Sequence, residues 1–80
     1  MTGGADDFQE RKHLLESAIR PRPARYVITS QDGRETGVLP WGIAMASAMK
    51  SLRNGAQVVD MGAGTVKLVN GDDYAVWSPK

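Results

Sequence analysis

The chain has 80 residues, of which 41% are hydrophobic and 24% charged, and its formal net charge is +1. A domain of this length buries only about 60 to 65% of its unfolded surface, which excludes a deep substrate cavity. The sequence contains no cysteine, which excludes disulfides, thiolate metal sites and cysteine nucleophiles. The balanced charge excludes the large basic excess of a dedicated nucleic-acid-binding domain.

The sequence also predicts where the protein is located and how the chain is divided into domains. No apolar run approaches the roughly 20 residues that a membrane span requires, and the start lacks the basic and apolar segments of a signal peptide. We therefore expect a soluble cytoplasmic protein with no membrane contact. Residues 1–6 are predicted to be a flexible N-terminus, and residues 7–80 to form a single α+β domain.

An amphipathic helix is predicted to begin at Asp7, because Asp7 and Glu10 have the spacing of an N-cap and its reciprocal acid. The apolar residues with helical period are Phe8, Leu15, Ala18 and Ile19. Charged residues, Arg11 among them, are expected to face away from this stripe. Pro21 is expected to end the helix.

Residues 21–25 form a connector rich in proline and arginine, in which the proline rings favour extended backbone. The β-branched and aromatic run Tyr26–Thr29 predicts a strand. A turn at residues 31–34 is expected to lead into a second strand over Glu35–Leu39, although Gly37 weakens that pattern.

A second helix is predicted over Pro40–Asn54, with Pro40 at the first helical position and Gly55 as the stop. Its apolar face comprises Trp41, Met45, Ala48, Met49 and Leu52, with Ile43 on the flank. The alanines of this helix favour close approach to a sheet.

Three strands are predicted over Gln57–Met61, Thr65–Val69 and Tyr74–Ser78. The whole pattern predicts an α-β-β-α-β-β-β fold, with a mostly antiparallel sheet and the helices packed on one face. Tyr74 and Trp77 fall on opposite faces of the last strand, so one of them must point away from the helices.

Three features resemble chemical sites but have simpler interpretations. His13 lies in a charged stretch of the first helix without an oriented partner, which favours a solvated surface residue. Gly62-Ala63-Gly64 precedes a strand rather than a helix, which favours a turn over a phosphate site. Asp60 and the pair at Asp72 and Asp73 supply too few oxygen ligands for a hard cation. We therefore predict no catalytic residue, no cofactor and no metal site.

Residue types that are common at binding surfaces are more informative than these three features. The predicted binding residues are Arg20, Arg22, Arg25, Tyr26, Arg34, Tyr74 and Trp77. Arginine forks bind carboxylates and phosphates alike, and exposed aromatic side chains are enriched where proteins bind each other. A solvated connector without a partner remains the alternative for the arginines. Whether the face with Trp41, Met45 and Met49 is core or interface is also left open.

The leading hypothesis is a non-enzymatic protein-interaction module that binds, and can inhibit, a larger macromolecular complex. Its outline is similar in kind to small phage and mobile-element inhibitor proteins, although no residue motif carries that likeness. Two alternatives stand beside it. One is nucleic-acid binding by the arginine-rich connector and the first strand, and the other is a structural homo-oligomer, such as a homodimer joined by edge strands or by helices.

Overall fold

A computed structural model describes the backbone of residues 4–19 and 25–80, with side chains from Phe8 onwards within those ranges. In chain order its elements are α1 (Gly4–Ala18), β1 (Arg25–Ser30), β2 (Leu39–Pro40), α2 (Trp41–Arg53), β3 (Gln57–Gly62), β4 (Thr65–Asn70) and β5 (Asp73–Pro79). The predicted α-β-β-α-β-β-β order and the α+β class are confirmed.

The helix bounds differ from the predicted ones at three ends. Helix α1 begins at Gly4, so Asp7 lies inside the helix and the predicted start was wrong. Helix α2 begins at Trp41, because Pro40 keeps extended backbone with φ −60° and ψ 152° and pairs in the sheet as the last residue of β2. The helix ends at Arg53, one residue before the predicted end. Gly55 follows with φ 98°, the left-handed conformation that glycine adopts without steric cost.

The five strands form one antiparallel sheet in the order β2-β1-β5-β4-β3. The last three strands are a meander, whereas β1 pairs with β5 from far along the chain. Strands β2 and β3 lie at opposite edges, and α2 connects them. The helix must therefore cross the sheet from one edge to the other, which places it over the central strands.

The second strand is much shorter than the sequence predicted. Only Leu39 and Pro40 pair with β1, and Glu35 makes a single bridge to Thr29. Between these points Thr36 bonds to β1 through its side chain as well as its backbone, since its hydroxyl accepts the Ile28 N–H at 3.1 Å. Side-chain hydrogen bonds of this kind compete with a regular ladder, so the predicted strand over 35–39 was wrong for most of its length.

Both helices pack on one face of the sheet, and the core lies between these layers. The buried core residues are Leu15, Ala18, Ile19, Tyr26, Ala44, Ala48, Leu52, Ala56, Val66, Leu68 and Trp77. Two fully buried alanines of α2, Ala44 and Ala48, face the sheet, and they bring the helix close enough for the Trp77 indole N–H to donate to the Ala44 carbonyl at 2.9 Å. Trp41, Met45 and Met49 are partly buried and pack against the margin of this core.

Arg11 departs from the predicted helix pattern because it faces the interior. Its guanidinium donates to the carbonyl oxygens of Leu52 and Ala56 at 2.7 and 2.8 Å. Its Cζ atom also lies 5.8 Å from the centroid of the Phe8 ring. These carbonyls belong to the C-terminal end of α2 and the residue before β3, where a cation is favoured by the helix dipole. Arg11 therefore links α1 to α2.

Candidate protein-interaction surface

The structure separates the predicted binding residues into three groups. Arg20 and Arg22 lie outside the described residues. Arg25, Arg34 and Tyr74 are exposed, whereas Tyr26 and Trp77 are buried. The predicted set therefore does not form one surface in the described part of the chain.

The two buried aromatic residues have internal partners. The Tyr26 hydroxyl donates to the Gly64 carbonyl at 3.2 Å, and the Trp77 indole donates to Ala44. Trp77 is 2% exposed, whereas Tyr74, three residues earlier in β5, is 40% exposed. Of the pair predicted to lie on opposite faces, Tyr74 is thus the residue that points away from the helices. A nucleic-acid site on β1 would have to bind without stacking on Tyr26.

The face of the sheet opposite the helices is a candidate surface, and we call it the open face. The strand register and the alternation of side chains place on it Val27 and Thr29 of β1, Gln57 and Val59 of β3, Thr65, Lys67 and Val69 of β4, and Tyr74, Val76 and Ser78 of β5. Val27 is buried at 5% exposure, so it adds no contact area to this face. Neither helix contributes a described residue to this face. It combines valines and small polar residues with Tyr74, and tyrosine is a residue type enriched at protein contact surfaces.

The open face is also basic. Arg25 precedes Val27 by two residues and Lys80 follows Ser78 by two, so alternation places both at one end of this face, and the Lys80 N–H donates to the Arg25 carbonyl at 3.0 Å. Lys67 lies at its centre, opposite Val76 in the register. Glu35, bridged to Thr29 at the β1 side, is the one carboxylate that the same register assigns to this face within the described strands and bridges. Three cationic side chains against one carboxylate favour an acidic partner.

Tyr74 is held in position from two sides. Its backbone N–H donates to the Gln31 side-chain oxygen at 2.9 Å, which ties β5 to the turn after β1. The Lys67 ammonium lies 4.4 Å from the centroid of the Tyr74 ring, a distance at which the cation is attracted by the ring electrons. The aromatic ring and the central cation of the open face therefore form one cluster.

Arg34 belongs to a different structure, the turn that follows β1. Its Nε atom lies 3.4 Å from an Asp32 carboxylate oxygen. The Ser30 hydroxyl and the Arg34 backbone N–H donate to the same carboxylate, and these hydrogen bonds lower the pKa of Asp32 below its ordinary value of 3.8. Arg34 and Asp32 are thus engaged locally at the end of the sheet.

The residues considered for chemistry occupy ordinary positions. Gly62-Ala63-Gly64 forms the β3–β4 turn, with φ values of 86°, 54° and 83°. Asp72 and Asp73 lie in and beside the β4–β5 turn. Among the residues that the structure describes, no group of three His, Asp or Glu side chains is placed to hold a metal ion.

His13 is exposed and lines a groove of about 410 Å³ between α1 and the start of β3. The other residues of this groove are Glu10, Arg11, Leu14, Ser17 and Gln57. No hydrogen bond joins His13 to Glu10 or Ser17 in the described structure.

Comparison with protein-family models, with curated proteins and with solved structures found no match for this chain. None of the helices in the described ranges is long and apolar enough to cross a membrane. The functional interpretation therefore depends on the open face and its charges.

Proposed function

We propose that the protein is a non-enzymatic protein-interaction module that binds an acidic surface of a larger macromolecular complex through its open face. The observation that supports this most strongly is that both helices lie on one side of the sheet, while the described residues of the other side include Tyr74 and valines among three cations and one carboxylate. Apolar contact area supplies affinity, and complementary charge supplies orientation and partner selection.

Binding of this kind explains how so small a protein acts without chemistry of its own. A module that occupies a surface of a larger assembly blocks any other component that needs the same surface. Inhibition of the partner is thus part of the proposal, and a cytoplasmic partner is the natural target for a chain without cysteine.

The test uses a charge reversal at the centre of the open face. Tagged wild-type protein, Lys67→Glu and Lys50→Glu are each used to recover proteins from a lysate of the source cells. Lys50 is exposed on α2, on the helix side of the molecule, so the two variants change the net charge equally on opposite sides. We expect a protein retained by wild type and by Lys50→Glu to be lost with Lys67→Glu, and its retention to weaken as salt rises.

Recovery of the same proteins at the same yield by all three forms would show that the open face does not bind the partner. A second measurement separates protein from nucleic acid. Fluorescence anisotropy with a labelled polyglutamate peptide and with a single-stranded oligonucleotide is measured at equal charge and low salt. Tighter binding of the oligonucleotide, with a steep salt dependence, would favour the nucleic-acid alternative instead.

A further inference from the structure

The two edges of the sheet differ in how they are protected. At one edge, β2 has only two residues, one of them Pro40, and residues 31–38 lie beside β1. At the other edge, β3 has six residues and contains neither proline nor lysine, and its one register shift lies at the end of the strand, between Asp60 and Gly62. No strand in the described part of the chain pairs with the outer side of β3, so this edge offers backbone groups to another strand.

The hydrogen bonds elsewhere in the sheet identify those unpaired groups. The Tyr74 N–H donates to Gln31 on the β1 side of β5, and the backbone groups of Ile28 bond to Thr36 on the β2 side of β1. These contacts show which neighbouring strand the backbone groups of each residue face. Because bonded positions alternate along each strand, Gln57 and Val59 face β4, and Val58 and Asp60 direct their N–H and C=O groups outwards. The Ala56 carbonyl, in the same outward row, is already bonded to Arg11.

Exposed apolar side chains lie along this edge, both on β3 and on the neighbouring helix α1. Val59 and Met61 of β3 are 42% and 55% exposed, and Leu14 of α1 is 55% exposed in the groove beside Gln57. Three of the six exposed large hydrophobic residues in the described structure thus lie along one edge. Such clustering is typical of a surface that another chain covers.

We propose that this edge is the dimer interface of the protein, in which β3 pairs antiparallel with β3 of a second copy about a twofold axis at Val59. This register brings Val58 of each copy opposite Asp60 of the other, so the outward backbone groups of both residues form four hydrogen bonds. Val59 meets its own copy as a close cross-strand pair. The two sheets join into one of ten strands, and the grooves beside α1 face each other.

The charges beside this edge permit a second copy as the occupant, because the Val59-centred register places no two like charges directly opposite each other. Asp60 is the one charged residue of β3, and the Val59-centred register keeps the two Asp60 side chains from lying directly opposite each other. Lys67 pairs with Val59 within each copy, so the two Lys67 residues are three strand spacings apart, about 14 Å. That exceeds the Debye length of about 8 Å at physiological salt, so their repulsion is small. The interface is therefore self-complementary, as a twofold contact requires.

The test measures the oligomeric state of three forms by sedimentation equilibrium over a concentration series. In Val59→Glu, the new carboxylate lies beside Lys67 in the folded monomer, which preserves the fold, but meets its own copy at about 5 Å on the axis. Ile43→Glu is the matched control, because Ile43 is 56% exposed on α2, away from the edge. We expect wild type and Ile43→Glu to dimerise with equal affinity and Val59→Glu to dimerise at least about tenfold more weakly.

Hydrogen exchange checks the register. The Val58 and Asp60 amides are expected to become protected as wild-type concentration rises, while other exposed amides do not change. A wild-type protein that remains monomeric across the series, or a Val59→Glu variant that dimerises as tightly as wild type, would overturn the proposal. Protection of these amides only after addition of a different protein would assign the edge to a foreign strand and would also overturn it.

The dimer proposal does not require the proposed function, although Val59 lies beside Lys67 on the open face as well as at the edge. Lys67→Glu is expected to remain dimeric although it loses the partner of the open face, whereas Val59→Glu separates the copies. The two proposals therefore fail separately.

Discussion

The two faces of the sheet carry similar residue types and yet have different roles. The covered face has Trp77 and Val66, packed under the helices, and the open face has Tyr74 and Val69. An aromatic residue and a valine of adjacent strands thus occur on each side. The difference lies in the surroundings, because α1 and α2 both return to one side and the cations Lys67, Arg25 and Lys80 lie on the other. Local composition identifies two faces, and the helices decide which one becomes core.

The largest expected effect distinguishes the two aromatic residues of β5. Trp77→Ala removes a buried ring and leaves a cavity, and we expect it to lower the free energy of unfolding by about 3–5 kcal/mol. Tyr74→Ala removes an exposed ring and its contact with Lys67, with an expected loss of about 1 kcal/mol or less. Urea titration followed by far-ultraviolet circular dichroism measures both.

Trp77→Phe is the milder variant at this position, because Trp77→Ala can lower the stability below what an 80-residue domain needs to fold. It keeps most of the ring but removes the donor to the Ala44 carbonyl, with an expected loss of about 1–3 kcal/mol. Equal losses at Trp77 and Tyr74 would contradict the assignment of the two faces.

A smaller effect is expected from the cations on the two sides. Arg11→Met keeps an apolar stem but removes two hydrogen bonds to the carbonyls of Leu52 and Ala56, and we expect a loss of about 1.5–3 kcal/mol. Lys67→Met removes a partly exposed cation above Tyr74, for which about 0.5–1 kcal/mol is expected. The same urea titration measures both variants. A Lys67→Met protein that is less stable than Arg11→Met would contradict the larger contribution assigned to Arg11.

The smallest effect concerns Asp32, which lies on neither face. Its pKa is lowered in the folded state, so the bonds from Ser30 and Arg34 stabilise the fold fully above the ordinary pKa of 3.8, and this contribution is lost as pH falls below that value. Asp32→Asn is expected to be slightly less stable than wild type near neutral pH and equal to it in strong acid. Thermal unfolding across this pH range measures the difference, and parallel curves for the two proteins would contradict the assigned bonds.

The sequence predicted the covered stripe of α1 well, because Leu15, Ala18 and Ile19 follow the helical period and are all buried. It missed Arg11, since a cation that bonds to the end of another helix has no local signature. Its partner Leu52 is 41 residues away. The sequence also did not predict the first turn of α1. The spacing of Asp7 and Glu10 indicated a later start, and Gly4 is a weak helix former.

The exposure of the predicted binding residues was harder to predict than the fold. Tyr26 and Tyr74 are both tyrosines in strands with strong β propensity, and alternation alone gives either residue a buried or an exposed side. Tyr26 is buried in the core, where its hydroxyl donates a hydrogen bond to the carbonyl of Gly64 in the turn between β3 and β4. That contact is 38 residues apart in the chain, and no local pattern predicts it.

By itself the sequence determined the order of the elements, the stop of α2 at Gly55, the turns of the meander and the separation of Tyr74 from Trp77 on opposite faces. These follow from backbone preferences and side-chain periods that act within a few residues. Only the tertiary structure decided the pairing of β1 with β5, the burial of Tyr26, the role of Arg11 and which edge and face stay uncovered. Those features depend on contacts between residues distant in the chain, whose free energy exists only once the helices and strands are assembled.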